Sequence, residues 1–271
     1  MKLSPNIFRR MLWLIWHHGY VFFQTIRYLP IILIWGVGFF LCFDIKYPPE
    51  FAAHGYISSA TWLFFIAAWF GYVFLSGLDR TAESILIMQI NSRNLYAVSK
   101  VIFLLAVCAA FSLVCCLYPA IINTIYQFRG VTIFPGLSLS VFNGALLLHF
   151  IIGALGMSTA LLYQPNPMKR EDSFSICFTI IFVLFSIVKG QLIDQQNPLY
   201  FLFYVFPPLL DIINIFYNKN MFTVADIVQA TAFGLVYSVT AVAAGQWLYN
   251  KRIYGPLMVN NLKQDLFVKR H

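Results

Sequence analysis

Apolar side chains along this chain gather into long runs, and polar residues gather into the breaks between them. The runs cover roughly 28–43, 57–78, 95–126, 141–163, 173–192 and 223–249, and all but the first reach the ~20 residues that a helix needs to cross a bilayer. The first run is short for a hydrocarbon layer ~30 Å thick. The breaks carry the residues that end helices: Pro48 and Pro49 after the first run, Gly130, Pro135 and Gly136 after the third, Pro165 and Pro167 after the fourth. The pattern predicts an all-α polytopic membrane protein of six transmembrane helices, with Gly36, Gly38 and Gly71 allowing close helix packing.

Two stretches depart from simple crossings. Residues 1–27 read as an amphipathic helix lying on the membrane, with Phe8, Met11, Leu12, Ile15, Phe22, Phe23 and Ile26 on one face and Arg10, His17, Gln24 and Arg27 towards the other. No small-residue cleavage site follows its apolar part, so a cleaved leader is not expected. Residues 195–220 are apolar but interrupted by Pro198, Pro207 and Pro208, which predicts a re-entrant or surface segment on the outer side rather than a seventh crossing.

Between the second and third runs lies a polar island, 79–94, holding Asp79, Arg80, Glu83 and Arg93. It predicts a short helix capped by Asp79 or Thr81 and ended by Asn91-Ser92, with Ala82, Ile85, Leu86 and Gln89 or Ile90 on its apolar face. Such a helix, in water beside the membrane, is a contact surface for another protein.

Composition removes the soluble alternatives. Hydrophobic residues make up 60% of the 271 and charged residues only 10%, more apolar surface than one water-soluble core can hide. The whole chain, 1–271, is therefore expected to be one transmembrane domain. Its formal charge of +8 is explained by orientation. Of 18 Lys and Arg, 14 fall on one side of the six-span layout (Lys2, Arg9, Arg10, Arg27, Arg80, Arg93, Lys100, Lys169, Arg170, Lys251, Arg252, Lys263, Lys269, Arg270), against Lys46, Arg129, Lys189 and Lys219 on the other. The rich side is expected to be cytoplasmic, with both termini, the island and the polar tail 250–271 inside. Nucleic acid is not an expected partner. The five cysteines sit in apolar runs without metal-ligand spacing, so no metal or redox site is expected.

The island and the span layout together resemble the ATP-binding-cassette type-2 permease family, the membrane subunits of many bacterial exporters. The resemblance is carried by Arg80, Thr81-Ala82-Glu83, Ile85-Leu86-Ile87, Ser92-Arg93 and Lys100, with Gln89-Ile90 where the family often has a Pro. It implies a bacterial plasma-membrane permease that works as a dimer, with the substrate path between two copies or paralogues. It also implies a separate ATPase subunit carrying ATP and Mg, and this chain has no Gly-x-x-x-x-Gly-Lys-Ser/Thr loop of its own. Asp79, Arg80, Thr81, Glu83 and Arg93 become the candidate ATPase contacts of a cytoplasmic coupling helix, Glu83 foremost as a carboxylate for a basic groove.

Few polar groups lie within the runs. His149 is the deep ionisable candidate, while Lys189, Asp194 and Asp211 fall near outer ends, where snorkelling or mutual pairing accounts for them. Trp62, Trp69, Tyr72, Tyr118, Phe174 and Phe178 are candidate lining residues of a substrate path, or lipid-facing bulk. No nucleophile with a base and no paired carboxylates mark an enzyme. The expected cargo is a hydrophobic or amphipathic small molecule or peptide; an ATP-independent transporter or channel is the alternative, and a membrane-embedded enzyme or scaffold ranks behind it.

Overall fold

The computed structural model describes residues 5–45, 50–78, 80–162, 173–192, 205–217, 219 and 221–268. Among them the regular structure is helical: α1 (Pro5–Phe23), a 3-10 turn (Ile26–Tyr28), α2 (Leu29–Cys42), α3 (Ala52–Ser76), α4 (Arg80–Ile90), α5 (Arg93–Gln127), α6 (Leu139–Leu162), α7 (Ser173–Leu192), α8 (Leu209–Phe216) and α9 (Val224–Val268). Four helices, α3, α5, α6 and α9 over Val224–Lys251, are long and apolar enough to cross a membrane. The pair α1 and α2 passes the same test jointly but is bent by 78° at Gln24-Thr25, making up to five. The sixth expected crossing, α7, is described as apolar over the ten residues Thr179–Val188.

The bend explains why the first apolar run was short. At 1.5 Å per residue, the 14 residues of α2 span only about 21 Å. Thr25 is extended, with φ −89 and ψ 147, so the helix cannot run through it, and α1 leaves α2 nearly at a right angle instead of forming its first turns. Leu14, His18 and Phe22 of this region turn inward on the bundle, whereas Phe8, Leu12, Phe23 and Ile26 are exposed.

α6 is the central helix, buried over most of its length against α3, α5, α7 and α9. Lipid tails are as apolar as the side chains, so backbone approach, dispersion and hydrogen bonds must hold these helices together. Two glycines show the approach: a Cβ on Gly156 would lie 2.3 Å from the Phe64 carbonyl oxygen of α3, and one on Gly153 would lie 2.3 Å from Cys108 Sγ of α5. The core forms one cluster around Phe43, Tyr56, Phe134, Leu148, Ile212 and Phe222 and another around Phe22, Leu63, Phe70, Phe74, Phe103 and Met157.

The first cluster closes one end of the bundle. Asn123 Oδ1 accepts from the backbone N–H groups of Ile133 and Phe134, at 3.2 and 3.0 Å, pinning the α5–α6 loop. That loop satisfies the start of α3 in turn, since Ala52 N–H donates to the Pro135 carbonyl at 2.9 Å. Of the 195–220 segment, residues 205–217 and 219 are described. There α8, eight residues with Leu209, Ile212 and Phe216 buried, is about 12 Å long and too short to cross. Thr223 and Asp226 then form a reciprocal capping box at the start of α9, and Lys219 donates to the same carboxylate. At the opposite end, the expected polar tail is not a separate element, because α9 continues as helix to Val268.

Candidate functional site

α4 and α5 are joined by two residues, and this fixes how α4 faces the bundle. Asn91 takes the left-handed conformation at φ 54, which Asn tolerates better than most residues, and Ser92 caps α5 by accepting from Leu95 N–H at 3.3 Å. In the resulting register Glu83 and Ile90 are buried, with Leu86 and Ile87 half-buried against Leu14, Tyr96 and Leu95. Ala82, Ser84, Ile85, Met88 and Gln89 face outward. The expected apolar face of α4 is thus rotated: Ile85 and Met88, 46% and 71% exposed, point away from the bundle.

The inward carboxylate meets a buried cation. Lys100, 2% exposed and in the second turn of α5, donates from Nζ to Glu83 Oε1 at 3.2 Å, and Tyr249 Oη from α9 donates to Oε2 at 2.9 Å. The ammonium lies 5.0 Å from the centre of the Tyr96 ring and 4.9 Å from that of Tyr249, so two aromatic faces replace the water it has lost. The neighbouring Ser99 gives its hydroxyl proton to the Tyr96 carbonyl at 2.7 Å, leaving its oxygen to accept from His18 Nε2–H at 3.0 Å. One polar cluster therefore ties α1, α4, α5 and α9. Breaking a buried pair of this kind by removing one charge costs about 3–5 kcal/mol, because the other charge stays buried alone.

The other sequence candidates for partner contact are placed as follows. Asp79 lies outside the described residues, Arg80 and Thr81 open α4 with side chains outside the description, and Arg93 opens α5 and is exposed. Glu83 is the one whose chemistry is defined, and its oxygens are engaged within the chain. Lys100 and Tyr249 were the missed partners. The signal was available for Lys100: a lysine two turns into an apolar run needs a carboxylate or an aromatic cage. Nothing in the order of residues points to Tyr249, which is 166 positions from Glu83.

His149, fully buried in α6, holds a second polar cluster. Its Nδ1 lies 2.7 Å from the Ala145 carbonyl, which only accepts, so Nδ1 carries the proton and Nε2, 2.8 Å from Ser59 Oγ, is free to accept. Tyr56 packs its ring edge-on at 5.9 Å and donates to the Cys116 carbonyl at 3.3 Å. A serine and a histidine at hydrogen-bond distance resemble a nucleophile and its base, but both are sealed between α3 and α6, and the ring is oriented by the Ala145 carbonyl rather than by an acidic group. The arrangement fastens two helices.

The aromatic candidates separate in the same way. Trp62 donates Nε1–H to the Trp35 carbonyl at 3.3 Å and packs on Gly38, so it belongs to the α2–α3 contact. Trp69 and Tyr72 line a groove of about 380 Å³ between α3 and α7, with Phe65, Thr179, Val183 and Leu184. Tyr118 packs against Phe39 and Phe40. Phe174 and Phe178 sit on α7 with side chains outside the description, and Asp194 lies outside the described residues. Among the described residues, no group of three or more His, Cys, Asp or Glu could hold a metal ion.

The class that fold and composition define is a helical membrane protein. Compared with known proteins, the chain matches no family model, no curated protein and no solved structure.

Proposed function

We propose that the chain is the membrane-spanning permease subunit of an ATP-driven exporter, with α4 as the helix through which a separate ATPase subunit moves it. The observation that carries this reading is α4 itself. A short helix between two long apolar helices is held from behind by Glu83, Lys100 and Tyr249 while Ile85 and Met88 face away from the bundle. Met and exposed aliphatic groups on a firmly held element suit a protein contact better than water. Glu83 acts as a positioning residue behind that surface. Six crossings (α2, α3, α5, α6, α7 and α9), α1 along the interface and α8 in the outer leaflet complete the arrangement, with the Lys- and Arg-rich end of α4 in the cytoplasm. ATP and Mg belong to the partner. Two copies would face one another across a path, and the apolar α3–α7 groove with Trp69 and Tyr72 suits a hydrophobic or amphipathic cargo.

The test is purification of the full chain from its own membrane, followed by assay of the co-purified nucleotide-binding protein for ATP hydrolysis. The wild-type chain should bring down ATPase activity, and the double substitution Ile85→Asp with Met88→Asp should lose it while the chain stays folded and inserted. Equal ATPase recovery with that variant, or none with the wild type, would refute the assignment.

A further inference from the structure

A cavity of about 230 Å³ lies between α1 and the end of α3 with α4, beside the cluster described above. Val21, Phe22, Phe74 and Leu78 give it an apolar wall, and an acidic group, Glu83, and a basic group, Arg27, also line it. They are not equivalent. Both oxygens of Glu83 are taken, by Lys100 and by Tyr249, so that charge is compensated. Arg27 forms no ion pair among the described residues, and its guanidinium reaches to 3.2 Å from where a Cβ on Gly77 would stand. Among the described residues the cavity therefore presents one cation without an ion-pair partner beside an apolar wall.

Its position narrows the ligand. Arg27 follows the 78° bend at which α1 turns away from α2, and the apolar residues Phe23 and Ile26 beside it are 47% and 75% exposed. A volume below the ~300–1,000 Å³ of ordinary small-molecule pockets takes a headgroup rather than a whole amphiphile. An anionic group on an apolar stem meets all three conditions. We propose that this cavity binds the phosphate of an anionic phospholipid, with Arg27 as its cation and Val21, Phe22 and Leu78 against the glycerol and first methylenes. The stem then leaves past Phe23 and Ile26 into the bilayer. This inference does not depend on the exporter reading.

The full chain purified in detergent is titrated with phosphatidylglycerol, with phosphatidylcholine and with glycerol phosphate, and the thermal midpoint is followed as a measure of binding. Phosphatidylglycerol should raise the midpoint above the level reached with phosphatidylcholine. Arg27→Gln should weaken the apparent affinity about tenfold, the effect of losing one charge-assisted contact. Arg10→Gln, on the exposed surface of α1, should leave it unchanged. Ala82→Glu, which sets a carboxylate at the same cavity without touching Arg27, should reproduce the loss and decides the matter if Arg27→Gln fails to fold. Equal responses to the two lipids, or equal losses in Arg10→Gln and Arg27→Gln, would overturn the site. A shift with glycerol phosphate as large as with the lipid would overturn the lipid as its source.

Discussion

Glu83 and Lys100 meet where four helices converge at one end of the bundle, whereas Ser59 and His149 meet inside it, between two helices that touch along their whole length. The first cluster is charged, and every member depends on the others. The ammonium needs the carboxylate and both tyrosine rings, and the carboxylate needs the ammonium and the Tyr249 hydroxyl. The second is neutral and redundant, because α3 and α6 are also joined by glycine-mediated backbone approach. The contrast teaches that burial of polar groups does two different jobs here: at the end of the bundle it fixes the orientation of a short helix together with a tight turn and a small apolar cluster, and inside the bundle it decorates a contact that packing already secures.

Removing Lys100 tests the contrast most severely. Lys100→Met should lower stability by about 3–5 kcal/mol, since it strands a buried carboxylate, and adding Glu83→Gln to it should restore a large part. A denaturation series in detergent on the two single variants and the double variant measures the coupling, and additive losses would show that the pair is not a unit. Next in size is Gly156→Ala, expected to cost about 1–3 kcal/mol because the new Cβ must push the Phe64 carbonyl away. The same measurement showing no loss would mean that α3 and α6 do not approach as described.

Tyr249→Phe keeps the ring against Lys100 and deletes one hydrogen bond to a charged group, for an expected loss of about 1.5–3 kcal/mol at most. Limited proteolysis near Asn91 should become faster in that variant as α4 loosens, and unchanged cleavage would show that Tyr249 does not restrain α4. The smallest effect should come from Ser59→Ala. Hydrogen bonds between helices in a membrane average about 0.6 kcal/mol, and His149 retains its bond to Ala145. A loss above about 2 kcal/mol would put the Ser59–His149 cluster in the same class as the charged one.

Much of this protein was legible in the order of its residues. Runs of about 20 apolar side chains can be buried only against lipid or one another, so helices α3, α5, α6 and α9 follow from length and composition. The short helix between α3 and α5 follows from a polar stretch ended by Asn91-Ser92, and the start of α8 follows from Pro207 and Pro208. What faces what could not be obtained in that way. The pattern around Glu83 fits two helical registers, and the choice fell to the two-residue turn into α5 and to Lys100, whose ion-pair partner among the described residues is Glu83. Likewise His149 could be seen as a lone histidine, but only the approach of α3 supplied Ser59. The sequence by itself determined where water must be absent and hence which segments are helices. The tertiary structure alone decided which buried polar groups meet, because a low-dielectric interior penalises every unpaired one and the partners come from segments up to 166 residues apart.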